Sequence, residues 1–385
     1  MKLDGIILTG TSCAGKTTIA KRLLDSGENY VDARALTTRP KRNDDEGHYI
    51  YTDELNFENL RGLFLTSTVY RNYKYAITKS EVKRITDLGR LAILVISPES
   101  YGQMSTTDKE RFLSFFIDAD DSCLDERILK RDGGTVSREI LLQRKKDRFY
   151  ADEPNYIIQN NDIEASVGII IRLVELFEIG SFLSEKDIKL MIQNGMLVKG
   201  ATEKNVKGAS YDLRLGDEYY YSGEIRKIEE DNFRLTIEPY DYAIVSSKED
   251  ICLPKDVVAH FGLTVGLFCQ GIILSNGQQV DPGFRGTLFC LLFNTSNRPV
   301  TIKRNEHYAT IEFVKMNQFA SKYKGKYQEK RNIIDVIPAN AMQGAINELK
   351  KEIEELKHES RSMQNIYISV ISIIIAAISI LMILK

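Results

Sequence analysis

The chain has 385 residues, with 52 Lys plus Arg against 54 Asp plus Glu and a formal net charge of -2. That balance gives no bulk attraction to nucleic acid, so no direct nucleic-acid binding is expected and any anion site must be built locally. Five cysteines without a CxxC pair, and only four histidines, exclude a zinc finger or ribbon; the thiols read as buried and reduced.

In chain order, residues 1–178 alternate apolar runs at 6–9, 91–97 and 112–117 with helical stretches. This is the rhythm of an α/β domain with a parallel sheet. At its start, Gly10-Thr11-Ser12-Cys13-Ala14-Gly15-Lys16-Thr17 fits GxxxxGK[ST], after an apolar strand and before a helical run. The spacing makes a phosphate loop. Gly10 and Gly15 let the backbone curl, and the amides of Ser12 and Gly15 through Thr18 face a polyphosphate. Lys16 reaches its terminal groups, and the Thr17 hydroxyl is placed to ligate Mg²⁺.

Residues 181–318 change character. One amphipathic helix at 185–194 is followed by short β-rich runs with turn signals at Asn276-Gly277 and Asp281-Pro282-Gly283. These predict a compact β-barrel or sandwich. Residues 319–339 read as a lysine-rich linker. Met342, Ile346, Leu349, Ile353, Leu356, Ser360 and Met363 then alternate spacings of four and three, a heptad seam within a helix over 340–365. The last stretch, 366–384, is uncharged and at about 1.5 Å per residue spans roughly 28 Å, which predicts a transmembrane helix. Lys350, Lys351, Lys357 and Arg361 precede it, so a single-pass C-terminal anchor with cytoplasmic domains is expected.

Beyond the loop, Thr37-Thr38-Arg39-Pro40-Lys41-Arg42 with Glu46-Gly47-His48-Tyr49 resembles the guanylate kinase signature. The resemblance implies a P-loop kinase fold and an acceptor monophosphate held by Arg39, Arg42 and a tyrosine. Tyr49 and Tyr51 compete for that tyrosine role. Asn72-Tyr73-Lys74-Tyr75 resembles the family's NYYG segment, which places Tyr73 at the acceptor. Arg127, Arg131 and Arg144 resemble the lid arginines, and Asn155-Tyr156-Ile157-Ile158-Gln159-Asn160 resembles the closing strand. The resemblance thus implies Lys16, Arg131 and Arg144 as catalytic groups, with ATP as donor and Mg²⁺ on Thr17. The family's two guanine-reading carboxylates are missing from Phe64-Leu65-Thr66-Ser67 and from Ile93-Leu94-Val95-Ile96-Ser97-Pro98. Their loss removes the best discriminator for guanine and leaves the acceptor base open.

In the second region, Ser210-Tyr211-Asp212-Leu213-Arg214-Leu215-Gly216 and Asp281-Pro282-Gly283-Phe284-Arg285-Gly286 resemble the dCTP deaminase and dUTPase superfamily. That implies a trimeric β-barrel-like domain and a ligand site around Asp212, Asp281 and Arg285. Asp281 reads equally well as a turn former. Leu291 stands where the deaminases carry a proton-shuttling glutamate, and Thr264-Val265-Gly266 lacks the arginine of the triphosphate grip. An apolar side chain performs no acid–base chemistry, so the domain is expected to bind nucleotides without deaminating them.

Taken together these features predict a membrane-anchored, ATP-dependent nucleoside monophosphate kinase. Mono- and triphosphates would be its ligands and a homotrimer its favoured assembly. The alternative is a nucleotide sensor or membrane effector with little turnover, as in a bacterial antiviral system by analogy. The seam, with Ile and Leu alternating, favours two strands, in tension with the trimer.

Overall fold

The computed structural model describes residues 3–27, 29–41, 47–70, 72–132, 138–228, 234–275, 279–321, 323–337 and 345–383. In the N-terminal half, β1 (Gly5–Gly10) leads into α1 (Lys16–Asp25), and β2 (Tyr30–Asp32) follows. A satellite sheet then forms from β3 (Ala35–Thr37), β4 (Tyr49–Tyr51), β5 (Phe64–Tyr70) and β6 (Tyr73–Thr78), in the order β4-β3-β6-β5. The chain returns to the main sheet through β7 (Leu91–Val95), β8 (Phe112–Asp118) and β9 (Tyr156–Gln159). That sheet runs β2-β7-β1-β8-β9, all pairings parallel.

Every residue of β1 and β8 is buried. Such continuous apolar strands require cover on both faces, which a parallel sheet obtains from its crossover helices. The helices α2 (Asp121–Asp132), α3 (Arg138–Phe149) and α4 (Ile163–Ile179) occupy the C-terminal half of this unit. α4 buries Val167, Ile170, Leu173, Val174 and Phe177, and it ends at Gly180 with φ 60°.

After α5 (Glu185–Gln193) the second unit is a sheet of long antiparallel strands. Its main members are β10 (Ser210–Tyr221), β11 (Tyr242–Cys252), β12 (Val257–Leu263), β13 (Ile272–Ser275), β14 (Gln279–Val280), β15 (Arg285–Asn294) and β16 (His307–Lys315). They lie in the order β13-β15-β11-β10-β16-β12-β14. Alternation of buried and half-buried residues along β15 is the period-two pattern of a strand with one face on a core.

The two units share one apolar core, which runs from Leu3 and Ile6 through Phe177 and Leu183 to Phe313. The chain leaving α4 joins the edge of β16: Leu183 N–H donates to Phe313 O (2.9 Å) and Lys315 N–H to Ser181 O (2.8 Å). At the seam, Lys315, Asp256 and Tyr156 are all buried. The Tyr156 hydroxyl donates to the Asp256 carboxylate (2.6 Å), and the Lys315 ammonium pairs with the same carboxylate.

Residues 319–337, expected as a linker, pack along the body instead. Phe319 stacks on Phe177, Tyr323 meets Phe284 edge-on, and Ile333 is fully buried. The lysines of this stretch hide apolar residues spaced to reach the sheet. Residues 338–344 lie outside the described residues, and α6 (Ala345–Ile383) follows. Of the heptad seam, Ile353, Leu356 and Met363 are exposed.

The expected transmembrane helix over 366–384 is corrected to this extent. Among the described residues no helix is long and apolar enough to cross a membrane. The apolar run with described side chains, 366–373, covers about 12 Å at 1.5 Å per residue, against about 30 Å of hydrocarbon. The side chains of 374–385 lie outside the described residues.

Candidate functional site: a phosphate loop and the groups around it

The loop between β1 and α1 is shaped by its glycines. Gly10 has φ 132°, and a Cβ there would stand 2.1 Å from Ile117 O on β8. Gly15 has φ 94° and caps α1 in the left-handed region; its Cβ would meet Asn160 Nδ2 at 2.5 Å. A side chain at Gly10 would have to move β8, and one at Gly15 would have to displace the Asn160 amide and strain a left-handed backbone. The first turn of α1 contains no acidic residue, so its unpaired amides present partial positive charge.

Beneath the loop, Asn160 Nδ2 donates to Ala14 O (2.7 Å). Arg127 donates to Ala14 O (3.3 Å) and Asn160 O (2.7 Å). Arg127, one of the lid-like arginines, is therefore a brace for the loop floor.

Lys16 arches back over the loop and donates to Gly10 O (2.8 Å) and Thr11 O (2.9 Å). Burial pushes its ammonium down to about 8, while the negative charge of Asp147 pulls the other way. Thr17 and Thr18 are exposed on the first turn of α1. Among the described residues no group of three His, Cys, Asp or Glu is arranged to hold a metal ion. One hydroxyl beside a set of amides suits Mg²⁺ that arrives with a polyphosphate and keeps most of its waters, so Thr17 fits as the protein's contribution.

The α3 helix supplies the side chain that reaches the loop, and it is Asp147. Ser12 N–H donates to Asp147 Oδ2 (3.2 Å), and Gln143 Nε2 donates to Oδ1 (2.8 Å). Next to it, Arg148 donates to both carboxylate oxygens of Asp118 at the end of β8 (2.9 and 3.3 Å). Arg144, expected at the phosphates, is buried against α2, with Nη2 2.7 Å from Asp125 and Nη1 3.8 Å from Asp121. Arg144 and Asp147 lie three positions apart on neighbouring parts of one helix face, yet Arg144 is held by the acids of α2 while Asp147 reaches the loop. The Arg131 side chain lies outside the described residues.

On the satellite sheet, Thr37 is buried and its hydroxyl donates to Lys74 O (2.9 Å) and accepts from Arg39 N–H (3.1 Å). This turn aims the Arg39 guanidinium over the Tyr49 ring, 5.0 Å from its centroid. Tyr49 also meets Tyr51 (6.4 Å) and Tyr75 (6.1 Å). Of the two competing tyrosines, Tyr49 is thus the one under Arg39. Tyr73 is half-buried at the β5–β6 hairpin, opposite Tyr70, and Arg42 lies outside the described residues.

In the second unit, Asp212, Asp281 and Arg285 share no partner among the described residues. Asp212 accepts from the Thr310 hydroxyl (3.0 Å), while Asp281 accepts from Gln279 (2.9 Å) within its turn. Arg285 reaches across to Asp152 of the first unit (2.9 Å). Leu291 packs into an apolar cluster with Tyr220, Ile244 and Ile333, the last from the 319–337 segment. The position that the deaminase resemblance assigns to an acid therefore carries a half-buried leucine with apolar and aromatic neighbours.

A parallel sheet whose first strand opens into this loop, with an arginine–tyrosine cluster on a satellite sheet, defines a P-loop kinase-type domain joined to a β-rich one. The guanylate kinase family model matches residues 2–176, and the dCTP deaminase-like model matches residues 182–316. A guanylate kinase from Thermotoga maritima is 32% identical over 184 residues, covering 45% of this chain and 87% of that protein. A dCTP deaminase from Thermococcus gammatolerans is 34% identical over 143 residues, covering 37% of this chain and 90% of that protein. One from Thermococcus kodakarensis is 36% identical, with 37% and 91% covered. The chain belongs to the guanylate kinase family in its first part and to the dCTP deaminase-like family in its second.

Proposed function

We propose that the protein is an ATP-dependent nucleoside monophosphate kinase whose second domain binds a nucleotide without deaminating it. The observation that carries this reading is the conjunction at the first domain. A braced phosphate loop with a half-buried lysine lies in the same domain as Arg39 over Tyr49. Phosphoryl transfer asks chiefly for positioning and positive charge around the migrating group. An acceptor phosphate oxygen attacks the terminal phosphorus of ATP while the bond to the departing ADP breaks. Lys16 and the amides of residues 12–18 would bind the donor phosphates, and Arg39, Arg42 and Tyr49 the acceptor phosphate. Arg131 is proposed to cover the migrating group. Mg²⁺, held at Thr17 with the donor, would supply charge neutralisation when bound.

Guanine is not the favoured acceptor. Neither segment that would read it carries a carboxylate, and the Thr66 hydroxyl is spent on Ser100 O. Further parts of the proposal are a homotrimer organised by the second domain and cytoplasmic nucleotide domains. The alternative, a sensor of nucleotides with little turnover, draws on the leucine at position 291, which performs no acid–base chemistry. ATP consumption against a panel of ribo- and deoxynucleoside monophosphates separates the two. Product diphosphate from at least one acceptor, lost in Lys16→Ala, supports the kinase; tight binding without turnover supports the sensor.

A further inference from the structure

We infer that Asp147 is an internal ligand of the phosphate loop: its carboxylate takes the Ser12 amide that a nucleotide phosphate would take, and nucleotide binding displaces it. The inference rests on the loop being a polyphosphate site.

Ser12 is the third residue of the Gly10–Thr17 loop, and its N–H points at Asp147 Oδ2 (3.2 Å) across 135 residues of sequence. The contact is built. Gln143, one turn earlier on α3, fixes the second oxygen (2.8 Å), and Asp147 is 7% exposed. Its neighbour Arg148 anchors the same turn to Asp118 at the end of β8. A carboxylate offers an amide the same anionic acceptor that a phosphate oxygen does.

The arrangement is also poised to open. Burial pushes the Asp147 carboxyl above its usual range, against the opposing pull of Gln143, the Ser12 amide and Lys16. The Lys16 ammonium, which a polyphosphate would draw outward, meanwhile bonds to Gly10 O and Thr11 O. A polyphosphate brings more charge and more acceptors to the same amides. It would win the site by displacing Asp147, through rotation about χ1 or a tilt of α3.

The test is the affinity of wild type, Asp147→Ala and Asp147→Asn for Mg·ATP and for pyrophosphate, measured by calorimetry at low salt and at about 0.5 M salt, where the Debye length is only a few Å. Release of one charged hydrogen bond should tighten binding by roughly tenfold in Asp147→Ala. The gain should hold for both ligands and persist at high salt. Asp147→Asn should fall between, because its amide oxygen still accepts from Ser12. If Asp147→Ala fails to fold, the Asn variant carries the test. Unchanged or weaker affinity in a variant, beside a wild type that binds, overturns the internal-ligand role alone. A gain that vanishes at high salt also overturns it, since remote charge would then suffice. No binding in any of the three removes the polyphosphate site itself, and this role with it.

Discussion

Replacing Lys315 with Met isolates what joins the two family domains. Lys315 is 1% exposed, Asp256 0% and Tyr156 2%. Burial pushes the lysine pKa down, while the Asp256 charge opposes that shift. Methionine keeps much of the stem's packing and removes the charge. The Asp256 carboxylate then remains buried with the Tyr156 hydroxyl as its remaining partner in the triad. Removing one member of a buried pair costs about 3–5 kcal/mol. At about 2.1 cal/mol/K per residue, a body of this size loses about 1.4 °C of Tm per kcal/mol, so a fall of roughly 4–7 °C is expected by differential scanning calorimetry. The double variant Lys315→Met, Asp256→Leu should regain most of the loss, because an apolar pair of similar volume replaces a buried ion pair at little cost. The effect should also reach the phosphate loop: β9 carries Tyr156 and leads directly to Asn160, which holds Ala14 O. A single variant that melts within about 1 °C of wild type, or a double variant no better than the single, would refute the reasoning.

Two further outcomes follow from the site. Lys16 has its pKa lowered to about 8, chiefly by burial, so it is charged below that pH and loses its proton above it. Affinity for Mg·ATP should therefore fall as pH rises from 8 toward 10, by up to about tenfold per unit until the pKa of the bound state is reached. Lys16→Met should lack that fall, and a wild-type affinity that is flat over this range would contradict the assignment. Leu291→Glu should not create a deaminase: the new acid would sit under Ile333 among apolar side chains and cost about 1–3 kcal/mol. Ammonia release from dCTP by this variant would contradict this expectation.

The phosphate loop was legible because its chemistry is local. Gly10, Gly15 and Lys16 act on backbone within a few residues, so spacing alone specifies the turn. The α/β and β-rich units were legible from periodicity. The segment after β16 reads as a linker because lysines are interleaved with the few residues that dock it, Phe319, Tyr323, Ile333 and Ile337. Arg144 and Asp147 show a different limit. Both lie on neighbouring positions of one charged helix, and what each side chain meets is decided by its tertiary neighbours, the acids of α2 for Arg144 and the loop amide for Asp147, which composition does not encode. The contacts Ser12–Asp147 and Tyr156–Asp256–Lys315 join residues 59 to 159 positions apart. No spacing rule reaches that far.

The central claim is that residues 10–18 bind a polyphosphate. Equilibrium titration of the intact protein with Mg·ATP, beside Lys16→Ala, tests it directly. The account predicts saturable one-site binding in wild type, weakened at least tenfold by the substitution. Equal affinity in the two proteins, or no binding by wild type, would contradict it.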